Sequence, residues 1–192
     1  MAQTNILNLQ RPDYDKTQRG WQANVQLPKK ATFDSKKDYF ATLHTSLGDI
    51  TLKFYPDVAP QHVTSFINLS ELGYYDNVAF HRIIPGFMMQ GGDPTGSGSG
   101  GPAYKMKQEF NSRKHIRGTL SAARTPDPDS AGSQFYVCFK DASFLNNEYT
   151  VFGEVTSGLD VVDKFEKLGT PGAGKPTKLE KIVSVDVFIK DK

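Results

Sequence analysis

A chain of 192 residues that is 38% hydrophobic and 11% aromatic can bury a core, which argues for one folded domain and excludes a disordered chain. Its formal charge of +2, from 23 basic and 21 acidic residues, is too small to point to nucleic acid or a membrane surface as a partner. The single cysteine, Cys138, excludes an intrachain disulfide and a Cys-based zinc site, and its apolar surroundings read as a buried structural thiol.

Residues 1–38 differ from the rest. They hold seven Lys/Arg against four Asp/Glu, whereas the remainder holds 16 against 17, so the main body has no basic bias. The start lacks the basic and apolar regions of a signal peptide, and no run approaches the ~18 apolar residues of a membrane span. A soluble, cytoplasmic protein is expected. Within this extension, Trp21, Ala23, Val25 and Leu27 alternate with polar residues. That is the period of a half-buried strand, and a strand or extended segment over Trp21–Leu27 is expected to pack on the body away from any pocket.

From Tyr39 onward the pattern is mostly β, and residues 39–192 form the expected main domain. Phe40–His44 and Ile50–Phe54 read as strands around a turn at Ser46–Asp49. A helix is predicted from Pro60 to about Leu72, with proline at the first position, a narrow inner stripe of Val63, Phe66, Ile67 and Ser70, and Gly73 to stop it. Short strands follow at Val78–Ile84, Phe87–Gln90, Thr119–Ala122, Gln134–Cys138 and Val151–Val155. A second helix is predicted over Leu159–Leu168, opened by a capping-box spacing at Ser157–Asp160 and ended by Gly169. The last strand, Ile182–Ile189, places Val183, Val185, Val187 and Ile189 on one face. Many short strands and two distant helices fit an antiparallel barrel or sandwich.

Two glycine-rich runs imitate phosphate-binding motifs. Gly96–Gly101 satisfies G-x-G-x-x-G, but Pro102 follows and no helix opens there, so a flexible surface loop is expected. Gly169–Lys175 resembles a P-loop, but Pro176 stands where Ser or Thr should hold magnesium. The four histidines show no metal-site spacing, and no G-x-S-x-G elbow exists. Neither a metal nor a cofactor is expected.

The informative block runs from Phe80-His81-Arg82 through Pro85-Gly86-Phe87-Met88-Met89-Gln90 to Gly91-Gly92-Asp93. With Gly118–Arg124, Ser133–Tyr136, Phe144-Leu145 and Val151–Gly153, it resembles the cyclophilin family of peptidyl-prolyl cis/trans isomerases over about four-fifths of the chain. The glycine/serine loop looks most like bacterial members. The resemblance implies a mainly β fold, a closed eight-stranded antiparallel barrel capped by two α-helices. It also implies rotation about Xaa-Pro bonds in proteins, in support of folding. Proline-containing polypeptides would be the partners, with weak binding of cyclosporin-type cyclic peptides, no nucleic acid or membrane, and a monomeric state.

Such a catalyst needs no nucleophile. Rotation must cross ~18–20 kcal/mol of amide resonance. The catalyst must favour the twisted amide, with a dry pocket and a fixed donor near the imide nitrogen. By resemblance Arg82 is the catalytic residue, bringing a permanent charge and rigid N–H donors. Gln90 would orient it. Phe87, Met88, Tyr136 and Leu145 would wall the proline pocket. Ala123, Arg124 and Thr125 would line the groove, joined by Gln134, Phe144 and Tyr149, while His81 is taken as structural. Three positions depart from the best-known pattern: Tyr136 for Phe, Phe144 for Trp and Tyr149 for His. The alternative reading is a proline-segment binding module or chaperone with little turnover. A nucleotide-dependent enzyme would rest on the two glycine runs alone.

Overall fold

The computed structural model describes residues 5–192. Strands β1 (Lys37–Thr45) and β2 (Gly48–Phe54) form a hairpin in which Ile50, Leu52 and Phe54 are buried and Thr51 and Lys53 are half-exposed, as the alternation requires. Helix α1 (Pro60–Glu71) follows, then β3 (Arg82–Ile84), β4 (Met88–Gly91), β5 (Thr119–Ala122), β6 (Phe135–Cys138), β7 (Val151–Ser157), helix α2 (Leu159–Glu166) and β8 (Ile182–Asp191). The eight strands make one sheet in the order β3-β4-β6-β5-β7-β2-β1-β8, and every pairing is antiparallel. No helix among the described residues is long and apolar enough to cross a membrane.

The backbone ladder is not closed by hydrogen bonds, so the structure bears out eight antiparallel strands with two helices but does not confirm a closed barrel. β3 and β8 stand at opposite ends of the strand order, and only an isolated bridge, Ala79 to Lys181, joins their neighbourhoods. The outer edge of β3 is taken instead by the loop after α2. The Ile83 amide donates to the Gly174 carbonyl (2.7 Å) and the Thr170 amide to the Ile83 carbonyl (3.1 Å). The P-loop-like glycines are therefore packing devices. A Cβ on Gly174 would lie 2.6 Å from Ile84 Cγ1, and one on Gly169 would lie 2.8 Å from Pro85 Cδ. Gly169 serves this close approach and does not terminate α2 with a left-handed turn.

Helix α1 ends as predicted. Gly73 has φ +70°, its amide donates to the Ser70 carbonyl, and the Tyr74 amide donates to the Leu69 carbonyl, which together make a Schellman motif. Its start is capped from afar: the Glu109 carboxylate accepts from the amides of Gln61 and His62, each at 3.0 Å. The narrow inner stripe is an underestimate, because every residue from His62 to Glu71 is buried. At α2 the capping box does not form. Gly158, at φ +88°, is the N-cap and has no side chain to accept from the first turn; its carbonyl takes the Val161 and Val162 amides. In β8 the single face breaks at Val183. A register shift sets Thr45 opposite Ile182 and His44 opposite Ser184, so Val183 is skipped and is 49% exposed.

The described part of the extension covers the outer side of α1. The Ile6 amide and the Arg11 guanidinium both bond the Glu71 carboxylate, and Arg11 Nε donates to Asn68 Oδ1 (2.8 Å). Further along, Gln61 donates to the Pro28 carbonyl and the Ala31 amide to Thr64 Oγ1. Trp21–Asn24 is a 3-10 turn, not a strand. Gly20 enters it at φ +78°, and only Val25 of the alternating set is fully buried; Ala23 and Leu27 are exposed. Trp21 meets Tyr74 edge-on with ring centroids 6.2 Å apart, and the Val25 carbonyl accepts from the Ala103 amide.

Candidate active site

The β3–β4 hairpin sets Arg82 directly opposite Gln90, because the register of a tight antiparallel pair fixes which residues face each other. Arg82 Nη1 donates to Gln90 Oε1 at 3.3 Å. Gln90 in turn lies opposite Tyr136 across the β4–β6 ladder, and its Nε2 donates to Gln134 Oε1 (2.9 Å). Gln134 Nε2 donates onward to the carbonyls of Gly98 and Gly100, both at 3.0 Å. One polar chain thus runs from the guanidinium to the glycine/serine loop.

Beside this chain lies a cavity of about 100 Å³ lined by Arg82, Phe87, Met88, Gln90, Ala123, Arg124, Tyr136, Leu145 and Tyr149. Met88, Tyr136 and Leu145 are buried and form, with Cys138 and Ala142, an apolar cluster separate from the main core. The Cys138 thiol is pushed up to about 12 by burial, which suits an inert packing role. Thr125 and Gln134 line an adjoining cavity of about 230 Å³ that shares Gln90, Ala123 and Arg124 with the first. Phe144 stands apart: its side chain is 71% exposed, tilted against Phe87 with centroids 5.5 Å apart. So the residues singled out from sequence fall on two contiguous cavities, with Phe144 on the rim.

A larger cavity, about 600 Å³, lies elsewhere, between the extension and the β1–β2 region. Its charged lining includes the Lys53–Asp38 and Arg113–Asp57 pairs, and none of the motif residues reaches it.

Two side chains at the site are held by partners that sequence reasoning missed. The Tyr136 hydroxyl is 3.1 Å from His115 Nε2. Asn146 Oδ1 accepts from the His115 amide (2.8 Å) and faces Nδ1 (3.2 Å), which places the proton on Nδ1 and leaves Nε2 as an acceptor facing both the Tyr136 hydroxyl and Ser121 Oγ, each at 3.1 Å. Burial lowers the His115 pKa and raises that of Tyr136, so both stay neutral at pH 7. Arg124 spends its guanidinium on the carbonyls of Glu148, Thr125 and Pro126 and lies 4.3 Å over the Tyr149 ring. It therefore shapes the groove wall. Neither ring nitrogen of the His81 side chain has a hydrogen-bond partner, and burial lowers its pKa.

The model of the family described as cyclophilin type peptidyl-prolyl cis-trans isomerase/CLD matches residues 40–187. The chain belongs to this cyclophilin family. A Helicobacter pylori peptidyl-prolyl cis-trans isomerase is 44% identical over 135 residues, covering 68% of this chain and 82% of its own length. A probable peptidyl-prolyl cis-trans isomerase of Brucella abortus is 41% identical over 152 residues, covering 73% of this chain and 78% of its own. The Gibberella zeae peptidyl-prolyl cis-trans isomerase-like 2 is 43% identical over 155 residues, or 78% of this chain, but the match spans only 26% of that longer protein. Among solved structures, a Cryptosporidium parvum cyclophilin type peptidyl-prolyl cis-trans isomerase superposes with a TM-score of 0.75 at 31% identity, covering 79% of this chain and 98% of its own. A second structure of that protein, solved in the presence of the dipeptide Ala-Pro, gives 0.74 at 32% identity, covering 78% and 98%. The family assignment thus matches the sequence motif and the observed fold of eight antiparallel strands and two helices.

Proposed function

We propose that this cyclophilin catalyses rotation about Xaa-Pro bonds in polypeptides without covalent chemistry, with Arg82 as the catalytic residue. The observation that carries the reading is a guanidinium anchored by Gln90 in the lining of a cavity whose other side chains include Phe87, Met88 and Leu145. A prolyl ring seated among Phe87, Met88, Tyr136 and Leu145 leaves its imide nitrogen toward Arg82. The dry wall disfavours the charge-separated planar amide. As the bond twists, the nitrogen lone pair localises and accepts from the guanidinium, an interaction absent in the ground state. No proton changes owner. The groove formed by Ala123, Arg124, Thr125 and Gln134 would bind the flanking backbone. Cyclosporin-type cyclic peptides would occupy the same surface, weakly, because Phe144 offers no donor at the rim.

The test is exchange of an Xaa-Pro peptide followed by NMR. Wild-type protein should accelerate exchange, and Arg82→Ala should lose about 100- to 1000-fold with its melting unchanged. Arg82→Lys should recover little, since a point charge does not reproduce the guanidinium fork. Near-wild-type exchange by a folded Arg82→Ala protein would sink the assignment.

A further inference from the structure

Gly96–Gly101 reads in sequence as a loose loop, yet it is wound around a buried charge. Asp93 is fully buried, and five donors converge on its carboxylate. They are the Thr95 amide (2.7 Å), Thr95 Oγ1 (2.8 Å), Ser97 Oγ (3.3 Å) and the amides of Gly98 (2.6 Å) and Gly100 (3.0 Å). Backbone amides turned inward in this way form a concave nest for an anion. There is no slack in it, since a Cβ on Gly100 would overlap Asp93 Oδ1. With its amides turned in toward Asp93, the loop holds the Gly98 and Gly100 carbonyls where both accept from Gln134.

The chemistry of the chain's two ends then fixes everything between them. Carbonyls only accept and a guanidinium only donates. Gln134 must therefore present its NH₂ to the loop and its oxygen to Gln90, and Gln90 must present its NH₂ to Gln134 and its oxygen to Arg82. Reversing either amide sets oxygen against oxygen or NH₂ against guanidinium. We infer that Asp93 is a positioning residue for the isomerase reaction. By organising the loop it sets the direction of the Gln134–Gln90 relay, and so holds Arg82 at the proline cavity. The inference rests on the assignment of catalysis to Arg82.

The experiment compares wild type, Asp93→Asn, Gln134→Leu and the double variant. Asparagine keeps one acceptor and turns an NH₂ toward amides that need an oxygen. Two readouts are taken, well below each variant's melting temperature. The first is the side-chain amide resonances of Gln90 and Gln134. In wild type they should be shifted and protected from exchange; in Asp93→Asn those of both glutamines should move to solvent-like positions. The second is turnover of an Xaa-Pro peptide. Asp93→Asn should lower kcat by about 10- to 100-fold with a smaller change in KM, as expected for a displaced catalytic group. In the Gln134→Leu background the same substitution should change kcat by less than about twofold, because the relay is already cut. Thr95→Val, which removes a single donor, should move both readouts the same way by less, and serves if Asp93→Asn does not fold. Unmoved glutamine resonances, or losses that multiply in the double variant, would overturn the inference. Activity surviving Arg82→Ala would instead remove the assignment beneath it, while the amide resonances still report whether the relay exists.

Discussion

Tyr136 carries a hydroxyl into a wall otherwise made of Met88, Leu145 and Ala142, and such a group is costly to bury unless it finds a partner. His115 is that partner, and Asn146 holds the imidazole in the tautomer that accepts. The hydroxyl is thus turned away from the cavity and the ring is what faces it. Tyr136→Phe should therefore leave turnover within about twofold while lowering stability by about 0.5–1.5 kcal/mol, the net value of one hydrogen bond. Paired melting and exchange measurements check this, and a large gain in turnover would show that the hydroxyl obstructs the pocket. At the rim, Phe144 offers only an exposed apolar ring. If cyclosporin-type peptides bind at this rim as proposed, Phe144→Trp adds an indole N–H donor there and should tighten cyclosporin binding by roughly 2- to 10-fold, with less effect on turnover. Calorimetric titration of the two proteins, giving equal affinities, would show that the donor is not what limits binding.

Among the elements, α1 is unusual in being enclosed on all sides: the sheet takes one side and the extension the other. Val25 is the extension's one fully buried large side chain from the alternating run, so Val25→Ser should lower the melting temperature by roughly 3–10 °C. Turnover should not change, because Val25 lines neither cavity of the site. Trp21, the sole tryptophan, should report the loosening by a red shift in emission. Faster turnover after removal of the extension would argue for a tail that occludes the site. The alternation at Trp21–Leu27 suggested a strand because apolar residues at every second position have a strand's period, but seven residues are too few for the pattern to outweigh local backbone and packing. Gly20 in a left-handed conformation starts a 3-10 turn there instead, and no neighbouring strand offers a partner. The β1–β2 hairpin and both α-helices were legible because their periods run longer. The Arg82–Gln90 pair was legible because one short motif holds both residues. Asp93 closes that same motif, yet its role was hidden: a glycine/serine run gives no local sign of the carboxylate it encloses.

For the molecule as a whole, the histidines set opposing responses to acid. His115 and His81 have folded pKa values lowered chiefly by burial, although Asp93 partly offsets the effect at His81. The unfolded chain then binds more protons below about pH 6.5, so stability present at neutral pH falls as pH drops through that value. His44, hydrogen-bonded to Asp49 and Asp186, has a raised pKa. Its contribution is full below about pH 6.5 and is lost as pH rises through the folded value. This pair is largely exposed and screened, so the buried histidines should dominate. Melting temperature should decline from pH 7.5 to 5.5, and His44→Gln should steepen that decline. A profile that is flat, or that rises toward acid, would contradict the burial argument.

A sheet whose ladder stops short of closure has two exposed borders, and unpaired strand borders invite other chains to add on. Here each is blunted by different means. On the β3 side, the backbone of Thr170 and Gly174 already occupies the hydrogen-bonding groups of Ile83, and the glycines let it lie too close for another strand to enter. On the β8 side, the irregularity at Val183 breaks the repeat that an incoming strand would have to match, and Asp186, Lys190 and Asp191 stud the rest with charge. A protein that handles other polypeptides meets extended, half-folded chains constantly. With both borders disarmed, such chains have the proline groove open to them and no template on which to polymerise.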